Sequence, residues 1–162
     1  MKIRLYEPSD KPEAEKLILA FMEMIKALLP AEKAWYETPR EGGIDMWLNS
    51  VGKPDTSLLV AEAADGRLAG LIYGRTEDQP ESLIERWGII DALYVEETYR
   101  RQGVARALID GIERWFEKQG CRAVRLDTWL ENESAIQVYR DLGFTDFYLG
   151  FVKKISDRGS LP

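Results

Sequence analysis

The sequence predicts an α/β fold, more narrowly an α+β arrangement on one mixed sheet. Three observations predict it. Short apolar blocks bounded by Gly, Pro, Asn or Asp read as strands, and longer stretches repeat their apolar residues at helical spacing. Asp65-Gly66 between two apolar blocks signals an antiparallel hairpin. The strand–helix–strand unit from Trp87 to Thr128 requires a right-handed crossover between parallel strands. The order is strand, two helices, three strands, helix, strand, helix, then one or two strands. That makes a six- to seven-stranded central sheet flanked by about four helices.

Ile3 and Leu5 mark the first strand, which Pro8, Ser9 and Asp10 end; Ser9 or Asp10 would cap the next element. Leu17, Ile18, Phe21, Ile25, Leu28 and Leu29 recur at helical spacing until Pro30. A second helix is expected around Ile44 to Val51, with Trp47 and Leu48 on its apolar side and Gly52-Lys-Pro54 closing it. Leu58 to Ala61 and Leu68 to Tyr73 flank the hairpin turn. A polar loop is expected between Thr76 and Arg86, and Trp87 to Val95 carries the strongest strand pattern. Val104, Leu108, Ile112, Trp115 and Phe116 define a helix whose C′ position suits Gly120. Ala123 to Thr128 reads as a strand, Asn132 to Leu142 as a helix ended by Gly143, and Phe144 to Lys153 as the last strands. Residues 1–155 are expected to form one domain, and Ser156 to Pro162 a disordered tail.

Composition narrows the chemistry. The 162 residues carry 22 basic and 28 acidic side chains, a net charge of −6. That balance opposes nucleic acid or an anionic membrane as the main partner. No histidine is present, which removes histidine triads, histidine metal sites and a histidine base. Cys121 is the single cysteine, so neither an intrachain disulfide nor a cysteine metal site is expected, and the thiol reads as buried and inert. Met1 to Pro8 is too short and charged for a signal peptide, and no apolar run is long enough to span a bilayer. A cytoplasmic location is the expectation.

The stretch Asp91-Ala-Leu-Tyr-Val95, followed by Arg100-Arg-Gln-Gly-Val-Ala105, carries the clearest chemistry. A strand ends, and a basic loop with a glycine opens into a helix. Free N–H groups at a helix start face an anion, and Gly103 permits close backbone approach. Arg100, Arg101 and Arg106 add local positive charge to an acidic chain. A Walker loop is excluded, because no Gly-Lys-Ser/Thr follows.

Arg100-x-x-Gly103-x-Ala105 after a strand resembles the acyl-CoA pyrophosphate loop of the GNAT superfamily of N-acyltransferases, with Ala105 in the place of a second glycine. Asn132-Glu-Ser-Ala-Ile-Gln-Val-Tyr139-Arg-Asp-Leu-Gly-Phe144 is similar to the family's downstream segment, and the element order fits from about residue 2 to 155. The resemblance implies a GNAT-like fold with acetyl-CoA as cosubstrate and no metal. It also implies that the strand ending at Val95 splays from the strand ending near Thr128. The pantetheine arm would then pair with the backbone of Leu93, Tyr94 and Val95. The amides of Arg101, Gln102, Gly103, Val104, Ala105 and Arg106, with Arg100 beside them, would hold the pyrophosphate. Asn132 would bond the arm, and Tyr139 would aim its hydroxyl at the sulfur.

Acetyl transfer to an amine needs an amine lone pair, a donor for the oxyanion, and a proton or hydrogen bond for a thiolate of pKa roughly 8.5. Tyr139, a donor at neutral pH, suits the last task. Asp91 interrupts an apolar strand, where alternation places it on the face of Ile89, Leu93 and Val95. Its position matches an acidic residue proposed as base in polyamine acetyltransferases of the family. Asp127 matches one used by ribosomal-protein alanine acetyltransferases. The structural alternative for each is an ion pair: Asp91 with a nearby arginine, Asp127 with Arg122 or Arg125. The acceptor would bind between the first two helices and the loop before Trp87, near Glu32, Trp35, Tyr36, Glu37, Glu41, Trp47, Glu77, Asp78, Glu81 and Glu85. Acids and aromatics together suit a cationic amine.

The leading expectation is an N-acetyltransferase that moves acetyl to a primary amine, a small molecule or a peptide N-terminus, by direct attack. Its alternative is a non-catalytic acyl-CoA-binding module. An O-acyltransferase fits less well without histidine. Exposed apolar side chains on the last strands would mark a homodimer contact.

Overall fold

The computed structural model describes residues 1–30 and 47–153. Its strands are β1 (Lys2–Leu5), β2 (Thr56–Glu62), β3 (Leu68–Asp78), β4 (Arg86–Val95) and β5 (Ala123–Leu126). They lie side by side in chain order. The first four pair antiparallel, and β5 lies parallel to β4, as the crossover requires. The helices are α1 (Lys11–Leu28), α2 (Val104–Lys118) and α3 (Glu133–Asp141). Of the expected second helix, Ile44 lies outside the described residues, while Trp47 and Leu48 are helical. Trp35, Tyr36, Glu32, Glu37, Glu41 and the tail from Ser156 also lie outside them.

Alternation along the strands splits the core between the two faces of the sheet. Leu58, Val60, Leu71, Tyr73, Ala92 and Tyr94 pack under α1. Leu59, Ala61, Ile72 and Ile90 pack under α2, through Leu108, Ile109, Ile112 and Phe116. Phe116 is 1% exposed, a burial worth about 1.5–3 kcal/mol. It fits because Gly88 leaves room: a Cβ there would stand 2.5–2.7 Å from its ring. The sheet therefore holds α2 tightly, and with it the loop that α2 opens from.

Four sequence expectations change in detail. Asp10 stands at the N-cap of α1, but its carboxylate bonds Arg4 at 2.7 and 2.8 Å and the Glu7 amide, not the helix. The polar loop begins later than Thr76, since Thr76, Glu77 and Asp78 pair with Gly88, Trp87 and Arg86. Polar side chains at a solvated sheet end do not stop a backbone ladder. Strand β5 ends at Leu126, because its parallel partner turns away after Ile90. Phe144 to Lys153 forms no strand among the described residues, which hold five strands in all. There Phe147, Leu149 and Phe151 are exposed: the segment has β propensity but no ladder partner.

The consequential irregularity lies at Asp91. Tyr73 pairs with Ala92 and Gly74 with Ile90, so Asp91 is an extra residue, a β-bulge. The bulge re-phases the strand. Ile89 and Asp91 share the α1 side with Ala92 and Tyr94, while Leu93 and Val95 turn to the α2 side. The expectation that Asp91 shares a face with Leu93 and Val95 fails for this reason, although it does share one with Ile89.

Candidate functional site

The parallel register between β4 and β5 lasts four residues, Trp87–Ile90 against Ala123–Leu126. Beyond it the strands part. The Glu96 amide donates to Ala69 O at 2.9 Å, so Glu96, Tyr94 and Ala92 direct their backbone groups at β3. Those of Leu93 and Val95 then face the gap. Val95 O is taken by Arg100 Nε at 3.0 Å, which leaves the Val95 N–H and both polar groups of Leu93 open among the described residues. The gap belongs to a cleft of about 2790 Å³, beyond the ~1000 Å³ of ordinary small-ligand pockets.

The basic loop closes one end of this cleft. Arg101 has φ +58° and Gly103 φ +79°, both left-handed. A Cβ on Gly103 would touch nothing among the described residues, so the position needs glycine for its backbone angle. The amides of Tyr99 and Arg100 close a 3₁₀ turn, and Ala107 N–H donates to Gly103 O at 3.0 Å. The six amides between, Arg101 to Arg106, find no well-formed acceptor among the described residues. Three of them are the unpaired first N–H groups of α2. Together with the helix dipole they leave a positive potential at this end of the cleft. The side chains divide the work. Arg100 folds back over the Tyr94 ring at 5.8 Å, Gln102 donates to Thr98 O at 2.8 Å, and Arg106 donates to Asp141 O at 3.3 Å. The Arg101 side chain bonds nothing among the described residues.

Helix α3 delivers Asn132 and Tyr139 to the cleft. Asn132 is 9% exposed; its Oδ1 caps the helix by accepting from Ala135 N at 3.3 Å, and its Nδ2 is uncommitted among the described residues. At the other end Gly143, φ +94°, sets a Schellman turn in which Phe144 N–H donates to Tyr139 O at 3.0 Å. The Phe144 ring meets the Tyr139 ring edge-on at 6.0 Å. The Tyr-x-x-x-Gly-Phe spacing thus clamps Tyr139. Its hydroxyl has no partner among the described residues, and burial pushes its pKa up to about 12.

Tyr139 packs on the α2 side of the sheet, whereas Asp91 and Asp127 lie on the α1 side; the gap between β4 and β5 separates them. Asp91 forms the ion pair that composition alone left open: Arg75 Nε reaches its Oδ2 at 3.0 Å, and Arg75 also holds Glu77 at 2.9 Å. Burial on the sheet raises the Asp91 pKa, and Arg75 opposes the rise. Asp127 pairs with neither Arg122 nor Arg125; it accepts the Tyr148 hydroxyl at 3.1 Å. Next to this charged patch, Trp47 stacks on Tyr73 at 5.8 Å, and Phe21 adjoins Trp47 and Tyr94. Glu77 lies beside Asp91; Asp78 instead pairs with Arg86.

Arg75 and Tyr148 did not stand out in the sequence, and Arg125 stood there only as a possible ion-pair partner of Asp127. Counting outward from the Asp65-Gly66 hairpin reaches Arg75, but its pairing with Asp91 depends on the bulge. Cys121 is only partly buried, packed beside the α2 core, and burial pushes its thiol pKa up. Among the described residues no group of side chains suits a metal, and no helix is long and apolar enough to cross a membrane.

Comparison with known proteins adds to this geometry. The model of the Acetyltransferase (GNAT) family matches residues 21–144. An aminoglycoside N(6')-acetyltransferase type 1 of Stenotrophomonas maltophilia is 26% identical over 144 residues, which is 80% of this chain and 90% of that one. An N-alpha-acetyltransferase 30 of Dictyostelium discoideum is 39% identical over 82 residues, half of this chain and 42% of that one. Among solved structures, a mutant of the BH1408 protein of Bacillus halodurans superposes with a TM-score of 0.83 at 19% identity, covering 96% of this chain and all of that one. The aminoglycoside N-acetyltransferase AAC(6')-Iy in complex with CoA superposes at 0.70 with 20% identity, over 96% of this chain and all of that one.

Proposed function

The chain belongs to the acetyltransferase (GNAT) family, and on that premise we propose that it moves an acetyl group from acetyl-CoA to a primary amine by direct attack. One observation carries the reading: six adjacent amides, 101 to 106, without a well-formed acceptor among the described residues, stand at the end of the cleft into which the open edge of Leu93 and Val95 leads. A diphosphate fits the first feature and an amide-bearing arm the second. A solved neighbour in complex with CoA supports the same ligand.

The roles follow from position. The amides from Arg101 to Arg106 grip the diphosphate, with the Arg101 guanidinium free to add charge. Leu93, the Val95 N–H and Asn132 Nδ2 align the arm, while Tyr94 and Arg100 stiffen the strand end. Tyr139 faces the departing sulfur from one side of the sheet. Asp91, or Asp127 through water, takes the amine proton on the other, where raised basicity helps Asp91. Full proton transfer from a tyrosine near 12 to a thiolate near 8.5 is uphill by about 5 kcal/mol, so Tyr139 stabilises the thiolate by a hydrogen bond. The amine nitrogen adds to the thioester carbonyl, and the C–S bond breaks as the tetrahedral oxyanion collapses, releasing the thiolate without an acetylated side chain. The aromatic wall of Trp47 and Tyr73 beside the acids suits a cationic acceptor. A homodimer through the exposed Phe147, Leu149 and Phe151 belongs to the same reading.

Two measurements test it. Calorimetry should register coenzyme A binding, and a thiol-release assay over a panel of amines should show turnover. Binding without turnover on any amine would favour the alternative, a non-catalytic acyl-CoA-binding module.

A further inference from the structure

The sheet face that carries Asp91 also carries a cation, Arg125, that feels the charge of Glu77 but forms no ion pair among the described residues. In the parallel register Arg125 pairs with Ile89, so its side chain leaves the sheet on the α1 side, with Arg75, Glu77, Asp91 and Asp127. Five charged groups share this patch, and the four besides Arg125 are already engaged. Arg75 is held by two carboxylates, Asp91 at 3.0 Å and Glu77 at 2.9 Å. Glu77 also accepts from Gln79 at 3.0 Å. Asp127 accepts the Tyr148 hydroxyl. Arg125 forms no ion pair among the described residues; it is half-buried in the cleft, and its Nε is wholly buried without an acceptor. The buried Nε keeps an unmet N–H inside, while the Nη groups of the half-buried guanidinium, which lines the cleft, are free to take an oxyanion in the bidentate fashion their planar fork fits.

We propose that the acceptor is an amine that also carries a carboxylate or phosphate, and that Arg125 seats this anionic group while the amine lies toward Asp91. The assignment rests on the acetyltransferase reading of the cleft and adds the chemical class of the acceptor. Strand geometry sets the span. The Arg125 and Asp91 backbones stand roughly 8 Å apart, one strand across and two residues along. A long arginine side chain shortens the reach, so the anion belongs a few bonds from the amine. Bare polyamines and simple alkylamines leave Arg125 unanswered.

The test uses pairs of amines that differ only in the anion: phenylalanine with phenethylamine, 4-aminobutanoate with butylamine, and glucosamine 6-phosphate with glucosamine. Binding to the CoA-loaded protein is measured by calorimetry and turnover by thiol release, for the wild type, Arg125→Gln and Arg125→Lys. The expected result is a preference of roughly 10- to 100-fold for the anionic member of at least one pair, the size of a charge-assisted hydrogen-bonded contact. It appears as a lower Kd or KM, collapses in Arg125→Gln and partly returns in Arg125→Lys. Which pair responds separates carboxylate from phosphate. Equal or better binding of the anion-free members throughout overturns the inference, as does a preference that survives in Arg125→Gln. Turnover of anion-free amines alone leaves the acetyltransferase reading standing while this one fails. Anion-selective binding without any turnover does the reverse.

Discussion

Replacing Tyr139 with Phe removes one oxygen and leaves the clamp in place. The Phe144 contact and the Schellman turn involve the ring and the backbone, not the hydroxyl. Since that hydroxyl bonds nothing among the described residues, Tyr139→Phe should not lower stability at neutral pH. The rate should fall by the worth of one hydrogen bond to a charged sulfur, about 1.5–3 kcal/mol, or roughly 10- to 150-fold in kcat. Coenzyme A affinity should hold within a few-fold. The pH dependence has a definite sign. Burial lifts the Tyr139 pKa from about 10 unfolded to about 12 folded, so folding favours the neutral phenol. That advantage is whole below pH 10 and drains away as pH climbs to 12, by at most about 2.7 kcal/mol. Urea unfolding at pH 7.5 and 11 should therefore show a smaller alkaline loss in the Phe variant than in the wild type. The kinetic assay is steady-state thiol release with a turned-over amine. A variant within three-fold of wild-type kcat refutes the hydrogen bond to sulfur. A loss of thousand-fold or more, with an alkaline limb well below pH 11, would instead point to full proton transfer and a less buried phenol.

Gly103→Ala should bind coenzyme A roughly ten-fold more weakly by calorimetry and lose about 1–2 kcal/mol of stability, since alanine is strained at φ +79°; unchanged affinity would remove the loop from the site. Asp91→Asn should lower kcat/KM and erase an acid limb lying above the ordinary carboxylate range, because protonation at low pH disables a base whose pKa burial has raised. If that limb persists in the variant, Asp127→Asn should remove it, and if neither change costs more than a few-fold, both carboxylates are structural. Gly88→Ala should cost about 1–3 kcal/mol by pressing a methyl into the Phe116 ring, read as a fall in Tm, and Phe116→Leu in the same chain should restore part of it.

Much of the architecture was legible because it rests on short-range rules. Helical spacing located α1 and α2, Asp65-Gly66 set the hairpin, and Gly120 and Gly143 marked helix ends through the left-handed angle each adopts. The amides of 101–106 were also legible: an unpaired helix start follows from chain order alone. What escaped the sequence depended on register. One added residue at Asp91 overrides strand alternation, and nothing local announces it. Arg75 and Arg125 gain their significance only when three strands lie side by side. The charge of Arg100 was plain in the sequence, but the fold of its side chain onto Val95 O and the Tyr94 ring was not. Phe144 to Lys153 has the residues of a strand, but a strand also needs an edge to join, and β5 offers only four ordered residues.

The short seam between β4 and β5 has a dimensional consequence. From Leu93 to Val95 the bare margin measures about 10 Å, with three main-chain groups left to satisfy. An invading peptide would find too little there to hold, so the opening is no invitation to strand addition or fibre growth. A linear molecule with two amides matches that allotment, and once lodged it would act as a removable rung of the sheet. Loaded protein should then outlast empty protein under proteolysis, tying its lifetime to the supply of whatever ligand lodges there.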